Sequence, residues 1–572
     1  MSDFTLGSSA IQMDPNVSKI IDDIERLRPP NACTMSCGQP CVPCKEMSQL
    51  FRQIIDTSRS LSGPEAKKLF DRYLALTSQM NQMHSPFIFR ILPEIASHIL
   101  QFCIPDAAES PSDYVATVQA VLDLSAVCRD WRYLALSTPQ LWTTLPICLG
   151  TPRLLDHLDV IEDWLRRSKA MPLTIYLGDS ADEYLLVERQ TREVEAIYHN
   201  ISRVADILKI HSGRWELLEI RLPGRFFGAF GAISHSSPIL RSLSLTRTGP
   251  SKGAPTKFEF RSTNFKPSQV SLHAVSIENL GIDWSAVTHV DLGKMSSDIY
   301  FRLLQKASRL KHCTLTCLEL APGAENQTAV ADIVHPVLQE LEIVCPGYTF
   351  EQRDPGLQFF FGRVTFPALR KLGISLGTDK LALPVAALSS FLARSAPQLT
   401  DLHLITCRLE DDTLLRLLSE IPSLTHLDLA PDWFNDSYSP EGLFRMLSHI
   451  ETEDIEDDGP KQAKLARHTF LPNLHSLTYT VNPKRPFPWK SLPEIFGPRC
   501  AWDSPLCRPL RSVWVVFYPT PSFTPVHIDD SILPSLLALI DAGIDLQVRY
   551  GHHNLLHAPC EDIQGGSQST WA

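Results

Sequence analysis

A chain of 572 residues is too long for one ordinary hydrophobic core and predicts several domains or a repeat array. With 44% apolar and 20% charged residues it has the composition of a globular protein. The net charge of −11, with no long basic cluster, excludes a groove that exchanges counterions on nucleic-acid phosphates, and the lack of any long apolar run excludes a helical membrane span.

The opening residues, Met1 to Ser9, have neither the basic end nor the apolar run of a secretory signal. The 14 cysteines lie mostly singly inside apolar runs, as at Cys103, Cys128, Cys313 and Cys407. Both features predict a protein of the cytoplasm or nucleus, not secreted, whose thiols are reduced. Residues 1–45 are polar and broken by Pro29-Pro30, which predicts a disordered segment. Cys33, Cys37, Cys41 and Cys44 are enough in number for a tetrahedral zinc site, but they lack the usual pair–spacer–pair arrangement. The reading adopted is a reduced segment without metal. Residues 46–84 form a helical lead-in, with helices over Met47–Ile55 and Glu65–Met83 split by Ser62-Gly63-Pro64.

The next segment, 85–150, carries the most informative pattern. Leu92-Pro93-Glu94-Ile95 places a proline where a first helical turn tolerates it. Ile95, Ile99, Phe102 and Cys103 then recur at helical spacing as one apolar face. Pro105 ends the run, and polar residues 106–113, with Pro111 inside, read as a loop. Val115, Val118, Val121, Leu122 and Leu124 resume a helical stripe, continued by Cys128, Trp131, Leu134 and Ala135, and Leu141-Trp142 closes the segment. Three helices of under about a dozen residues cannot each bury both faces, so an apolar surface is expected to remain for a partner.

The Leu-Pro-x-Glu-Ile start, the Val127-Cys128-basic-x-Trp131 centre and the Leu-Trp end resemble an F-box. The resemblance implies docking onto a Skp-family adaptor and, through it, a cullin. Carried over by position, the adaptor-binding residues are Leu92, Pro93, Ile95, Ile99, Val127, Cys128, Trp131 and Trp142, some of which hold the helices together instead. The polar loop after Pro105 is longer than in compact members of that family.

Residues 151–550 repeat another pattern: Pro, one residue, Leu, two polar residues, Leu, one residue, an apolar residue. Full copies begin at Pro238, Pro336, Pro367, Pro397, Pro422 and Pro472, and partial copies lie at 287–292, 310–315 and 510–515. Successive leucines at 338, 369, 399 and 424 are 31, 30 and 25 residues apart. Each Leu-x-Leu predicts a short strand with one face inward, and Val385–Ala393 and Thr413–Leu418 predict intervening helices. Such a strand and helix cannot close a core alone, but stacked copies can. Each proline fits the helix-to-strand corner.

The pattern resembles irregular leucine-rich repeats, and the F-box with such repeats is an architecture common in mushroom-forming fungi. Trp215-Glu-Leu-Leu-Glu-Ile and Trp284-Ser-Ala-Val-Thr-His-Val-Asp-Leu look like a Trp-x-x-Leu-x-x-Leu variant found there, although the usual Asn after each strand is missing. The expected fold class is therefore α/β: a helical F-box followed by a leucine-rich-repeat-like solenoid with a parallel strand face. A non-solenoid α/β alternation is the structural rival.

By period 2 the outward strand positions include His289, Asp291, His312, Thr314, Ser476 and Thr478. From this face the substrate-binding candidates are Glu340, Glu342, Lys371, Asp401, His403, His426 and Asp428. The alternative is a plain solvated strand face. Glu451–Asp458 reads as a solvated acidic loop, and residues 551–572, with His552, His553, His557 and Cys560, as a flexible tail.

Gly373-Ile-Ser375-Leu-Gly377 has the spacing of a hydrolase nucleophile elbow, but Gly373 and Ile374 belong to a repeat strand. No Walker loop or Rossmann glycine fingerprint occurs. The expectation is a non-enzyme without cofactor: the substrate-recognition subunit of an SCF-type ubiquitin ligase. Its partners would be a Skp-family adaptor, a cullin through it, and an unknown protein substrate, with no nucleic acid and no membrane. The alternative is an interaction scaffold that recruits no cullin.

Overall fold

The computed structural model describes residues 41–57, 63–84, 91–105, 111–148, 158–178, 191–230, 238–249, 265–278, 280–319, 332–345, 355–377, 383–408, 411–431, 439–453, 465–481, 486–497, 508–517, 528, 531–551 and 553–556. The chain divides into two compact units, Met1–Ile147 with Asp156–Tyr176, and Cys148–Leu155 with Leu177–Ala572. The boundary expected at 150 falls between the two stretches of the first.

The first unit opens with helices α1 (Val42–Thr57) and α2 (Gly63–His84). These pair through a small core of their own, made of Cys44, Met47, Leu50, Tyr73, Leu76 and Met80. The helix beginning at Val42 shortens the segment expected to be disordered, and Cys44 is spent on packing. Cys33 and Cys37 lie outside the described residues. Pro64 stands at the second position of α2 rather than between two helices, a place where its missing N–H costs nothing.

Helices α3 (Pro93–Phe102), α4 (Pro111–Ala126) and α5 (Arg129–Ser137) follow. The polar stretch ends earlier than expected because Pro111 starts α4, which at 16 residues is longer than the short helix anticipated. The stripe running from Val115 to Ala135 falls on two helices, broken at Val127-Cys128, where Cys128 is extended, which with α3 makes the three helices anticipated. Strand β1 (Thr144–Cys148), α6 (Leu158–Arg167) and β2 (Leu173–Gly178) complete this part of the chain.

The second unit begins with α7 (Thr191–Ile210) and is otherwise strand after strand. They are β3 (Trp215–Pro223), β4 (Ser242–Thr248), β5 (Gln269–His273), β6 (His289–Ser296), β7 (His312–Glu319) and β8 (Ile333–Val334). Next come β9 (Glu340–Cys345), β10 (Val364–Thr365), β11 (Lys371–Leu376), β12 (Asp401–Cys407), β13 (His426–Pro431), β14 (Glu451–Glu453) and β15 (Leu465–Arg467). The last are β16 (Ser476–Thr480), β17 (Ser512–Phe517), β18 (Asp545–Tyr550) and β19 (His553–Asn554).

In the main sheet the order is β3-β4-β5-β6-β7-β9-β11-β12-β13-β16-β17-β18-β19. Every pair from β3 to β18 is parallel, and only β19 turns back antiparallel. The tail expected from 551 therefore begins later, since β19 is held on Arg549 and Tyr550. Strands β8 and β10 form a small parallel pair, and β14 and β15 an antiparallel one.

Helices fall between strands as anticipated: Val385–Ser395 lies between β11 and β12, and Asp411–Ser419 between β12 and β13. The result is an α/β fold, solenoid-like in its repetition of one parallel strand per unit. One inward row runs Leu341, Leu372, Leu402, Leu427, Leu477, and the next Ile343, Ile374, Leu404, Leu429, Tyr479, all buried. Each leucine two residues beyond a proline (Leu338, Leu369, Leu399, Leu424, Leu474) is fully buried at the corner.

The prolines owe their places to turn geometry. In Phe366–Leu369, Ile421–Leu424 and Leu471–Leu474 the fourth N–H donates to the first carbonyl at 3.2, 3.3 and 3.2 Å, with proline second. That position of a turn suits proline's fixed φ. One carbonyl then accepts two N–H groups from the following repeat. Thr400 O takes those of Thr425 (2.8 Å) and His426 (2.9 Å), and Thr425 O takes those of His475 and Ser476.

Candidate functional site

Two surfaces hold the residues expected to contact partners. On the first unit, α3 is seated through Ala96 and Leu100 and turns the stripe of Ile95, Ile99 and Phe102 away. Leu92 is 66% exposed, Ile95 51% and Phe102 80%. Val127 at the α4–α5 break and Leu122, Tyr133 and Leu136 on those helices are also exposed. Pro93 is exposed, while Ile99, Cys128 and Trp131 are half-buried.

Trp142 is different. It is 1% exposed, donates Nε1–H to the Ala135 carbonyl at 2.8 Å and meets Trp164 edge-on, with centroids 4.6 Å apart. Arg167 lies 4.6 Å over its ring. Trp142 therefore belongs to the residues that hold the helices together and not to those that can meet a partner. Thr138 ties α5 to α3, since its hydroxyl shares a hydrogen bond with Ser97 Oγ at 2.9 Å.

On the second unit the outward positions are aligned strand by strand. One row runs His289, His312, Glu340, Lys371, Asp401, His426, Ser476. The next runs Asp291, Thr314, Glu342, Gly373, His403, Asp428, Thr478. All seven substrate-binding candidates thus lie in two adjacent rows of one sheet face. Five of them pair across strands: His312 Nδ1 to Glu340 at 3.0 Å, His426 Nδ1 to Asp401 at 3.3 Å, and His403 Nδ1 to Asp428 at 3.5 Å. The rings of His289 and His312 stack at 4.2 Å, and burial, helped by the neighbouring His312, lowers the His289 pKa.

Two stretches of this face were missed. Strand β5 places Ser271 and His273 against Asp291, whose Oδ2 accepts from Ser271 Oγ (3.2 Å) and lies 2.9 Å from His273 Nε2. At the other end Asp545 accepts from Ser512 Oγ (3.0 Å), Trp514 Nε1 (2.9 Å) and Gln547 Nε2 (2.7 Å). Burial works to raise the Asp545 carboxyl, but these donors outweigh it and hold it below the ordinary range. Arg549 covers the Trp514 ring at 4.0 Å. The available signal was the bare alternation Asp545-Leu-Gln547-Val-Arg549, which no Pro-x-Leu precedes.

A depression of about 150 Å³ opens on the face over Gly373, bounded by Glu340, Glu342, Lys371, Ser375, His403 and Ile405. Ser375 sits inside β11, followed by Leu376 in the same strand, so the chain makes no strand-to-helix elbow there. Cys313 beneath the face is pushed up to about 12 by burial, aided by Asp291, which makes it a poor nucleophile. Among the described residues no three His, Cys, Asp or Glu side chains are placed to share a metal ion, and no helix is long and apolar enough to cross a membrane. No family model matches the chain, and no curated protein matches it.

Proposed function

We propose that this chain is the substrate-recognition subunit of an SCF-type ubiquitin ligase, its residues 85–150 acting as an F-box and its strands as leucine-rich-repeat-like binding units. The observation that carries the reading is the outward stripe on α3, where large apolar side chains stand in solvent, as do Val127, Tyr133 and Leu136 farther along the chain. An apolar stripe left exposed on a short helix is the kind of feature a partner helix covers. The aligned polar rows supply a second surface, separate in sequence, for a protein target. In this arrangement the chain works by holding a target near a conjugating enzyme carried by other subunits, and none of its residues needs to act as acid, base or nucleophile.

Co-purification tests it. The full chain should bring down a Skp-family adaptor and a cullin, and a Leu92→Ala/Ile95→Ala variant should lose both while its melting curve is unchanged. Adaptor without cullin would favour the scaffold alternative, and undiminished adaptor binding by the variant would refute the docking assignment.

A further inference from the structure

We propose that the depression over Gly373 is an anchor pocket for one basic side chain, arginine or lysine, of a protein segment lying across the strand face. This rests on reading that face as the substrate surface. Gly373 is the single position in its row, from Asp291 to Thr478, that has no side chain. Its neighbours across the strands are Glu342 and His403, and along β11 they are Lys371 and Ser375. The missing side chain leaves about 150 Å³. Small-molecule sites run from roughly 300 Å³ upward, so the space suits a single inserted side chain. Inserted anchors of this kind dominate the energetics of protein interfaces.

The charge pattern selects the anchor. Lys371 lies in register between Glu340 and Asp401 and forms an ion pair with neither, but Glu340 and Glu342 both line the depression against this one cation, so the rim is net negative. Glu340 already meets His312, and His403 meets Asp428. Glu342 has Thr314 on one side and the depression on the other, and among the described residues it has no ion pair or hydrogen bond. A cation entering beside Gly373 would give that carboxylate the partner it lacks, with the Ser375 hydroxyl nearby as a further acceptor. An acidic or apolar side chain would leave it unmatched.

The test uses the full chain immobilised against a phage-displayed library of random dodecapeptides, beside E342Q and G373L variants. A Cβ at 373 would meet Glu342 Cγ at 3.4 Å and the Glu342 backbone at 3.9 Å, so a side chain can enter the depression without displacing the strand. Wild type should enrich peptides with an arginine or lysine. The best of them, as a labelled synthetic peptide, should bind each variant about tenfold or more weakly, as should the peptide with that residue changed to methionine. Melting curves check that the variants fold. No enrichment, enrichment without a basic residue, or equal binding by both variants overturns the pocket. Adaptor co-purification from the same preparations separates the two ideas. Loss of adaptor binding with basic selection intact sinks the ligase reading alone, and the reverse sinks the pocket alone.

Discussion

Arg508 shows how one residue can hold a region of irregular chain together. It is buried, and its guanidinium donates to the carbonyls of Leu447 (2.8 Å), Phe470 (2.6 Å), Leu471 (3.0 Å) and Ile495 (3.3 Å). Its own N–H donates to Nδ1 of the buried His468 at 3.1 Å. Arg508→Met would bare these carbonyls and should cost about 3 kcal/mol in denaturant unfolding. Burial, with the Arg508 charge second, lowers the His468 pKa from 6.5 to about 4. The unfolded chain thus takes up the proton first as pH falls. Stability should be complete above pH 6.5 and fall progressively from there toward pH 4, by up to roughly 3 kcal/mol. Thermal melts of His468→Asn across that range should lose most of this dependence. Gly293 is a second such point. A Cβ there would lie 2.1 Å from His273 Nδ1, so only glycine lets His273 reach Asp291. Gly293→Ala should cost about 1 kcal/mol, and the cost should vanish in a His273→Ala background.

Among elements, α3 shows that hydrophobic period and burial are different things. Its spacing marked Ile95, Ile99 and Phe102 as an apolar face, and helical geometry alone places them together. The helix is nonetheless seated on Ala96 and Leu100, which are buried, while Ile95 and Phe102 stay outside. Truncating Trp142 to alanine should therefore cost about 3–5 kcal/mol, whereas Leu92→Ala should be nearly neutral for folding. Equal costs would contradict the division between packing and solvent-facing residues. The strand ends carry a different strain. Ala274, just past β5, and Lys294, Cys317 and Thr406, skipped by the strand pairing near the ends of β6, β7 and β12, have φ of 55°, 56°, 57° and 51°. Left-handed backbone disfavours such residues, and asparagine tolerates it best after glycine. Lys294→Asn should raise the melting point, and Lys294→Ile should lower it by the equivalent of about 1 kcal/mol. None of the four is asparagine or glycine, yet the backbone is left-handed at each of them.

At the scale of the molecule, stability in the second unit comes from neighbours. Leu402 is enclosed by Leu372 and Leu427 on flanking strands, while Leu546 has Val513 on one side and no ladder partner on the other. Leu402→Ala should cost about 2–5 kcal/mol and Leu546→Ala clearly less, since a side chain between two repeats loses contacts on both sides. Similar costs at the centre and the end would argue against a stack held by adjacent repeats.

Much of this architecture could be read from the chain alone. The recurring Pro-x-Leu-x-x-Leu-x-Leu placed β4, β9, β11, β12, β13 and β16, because period-2 alternation and proline's fixed φ are local properties. The same alternation placed Glu340, Lys371, Asp401, His403, His426 and Asp428 on one side of their strands. What sequence could not supply was register. That Asp401 faces His426, that Glu342 is left beside an unfilled position at Gly373, and that β5 and β18 join the sheet without the Pro-x-Leu signal all depend on how whole repeats align. The apolar stripe on α3 was likewise written in the spacing of its residues, but only packing through Ala96 and Leu100 decided that it would face outward. Local chemistry fixes which side chains share a face. Which face is covered depends on contacts between segments far apart in the chain.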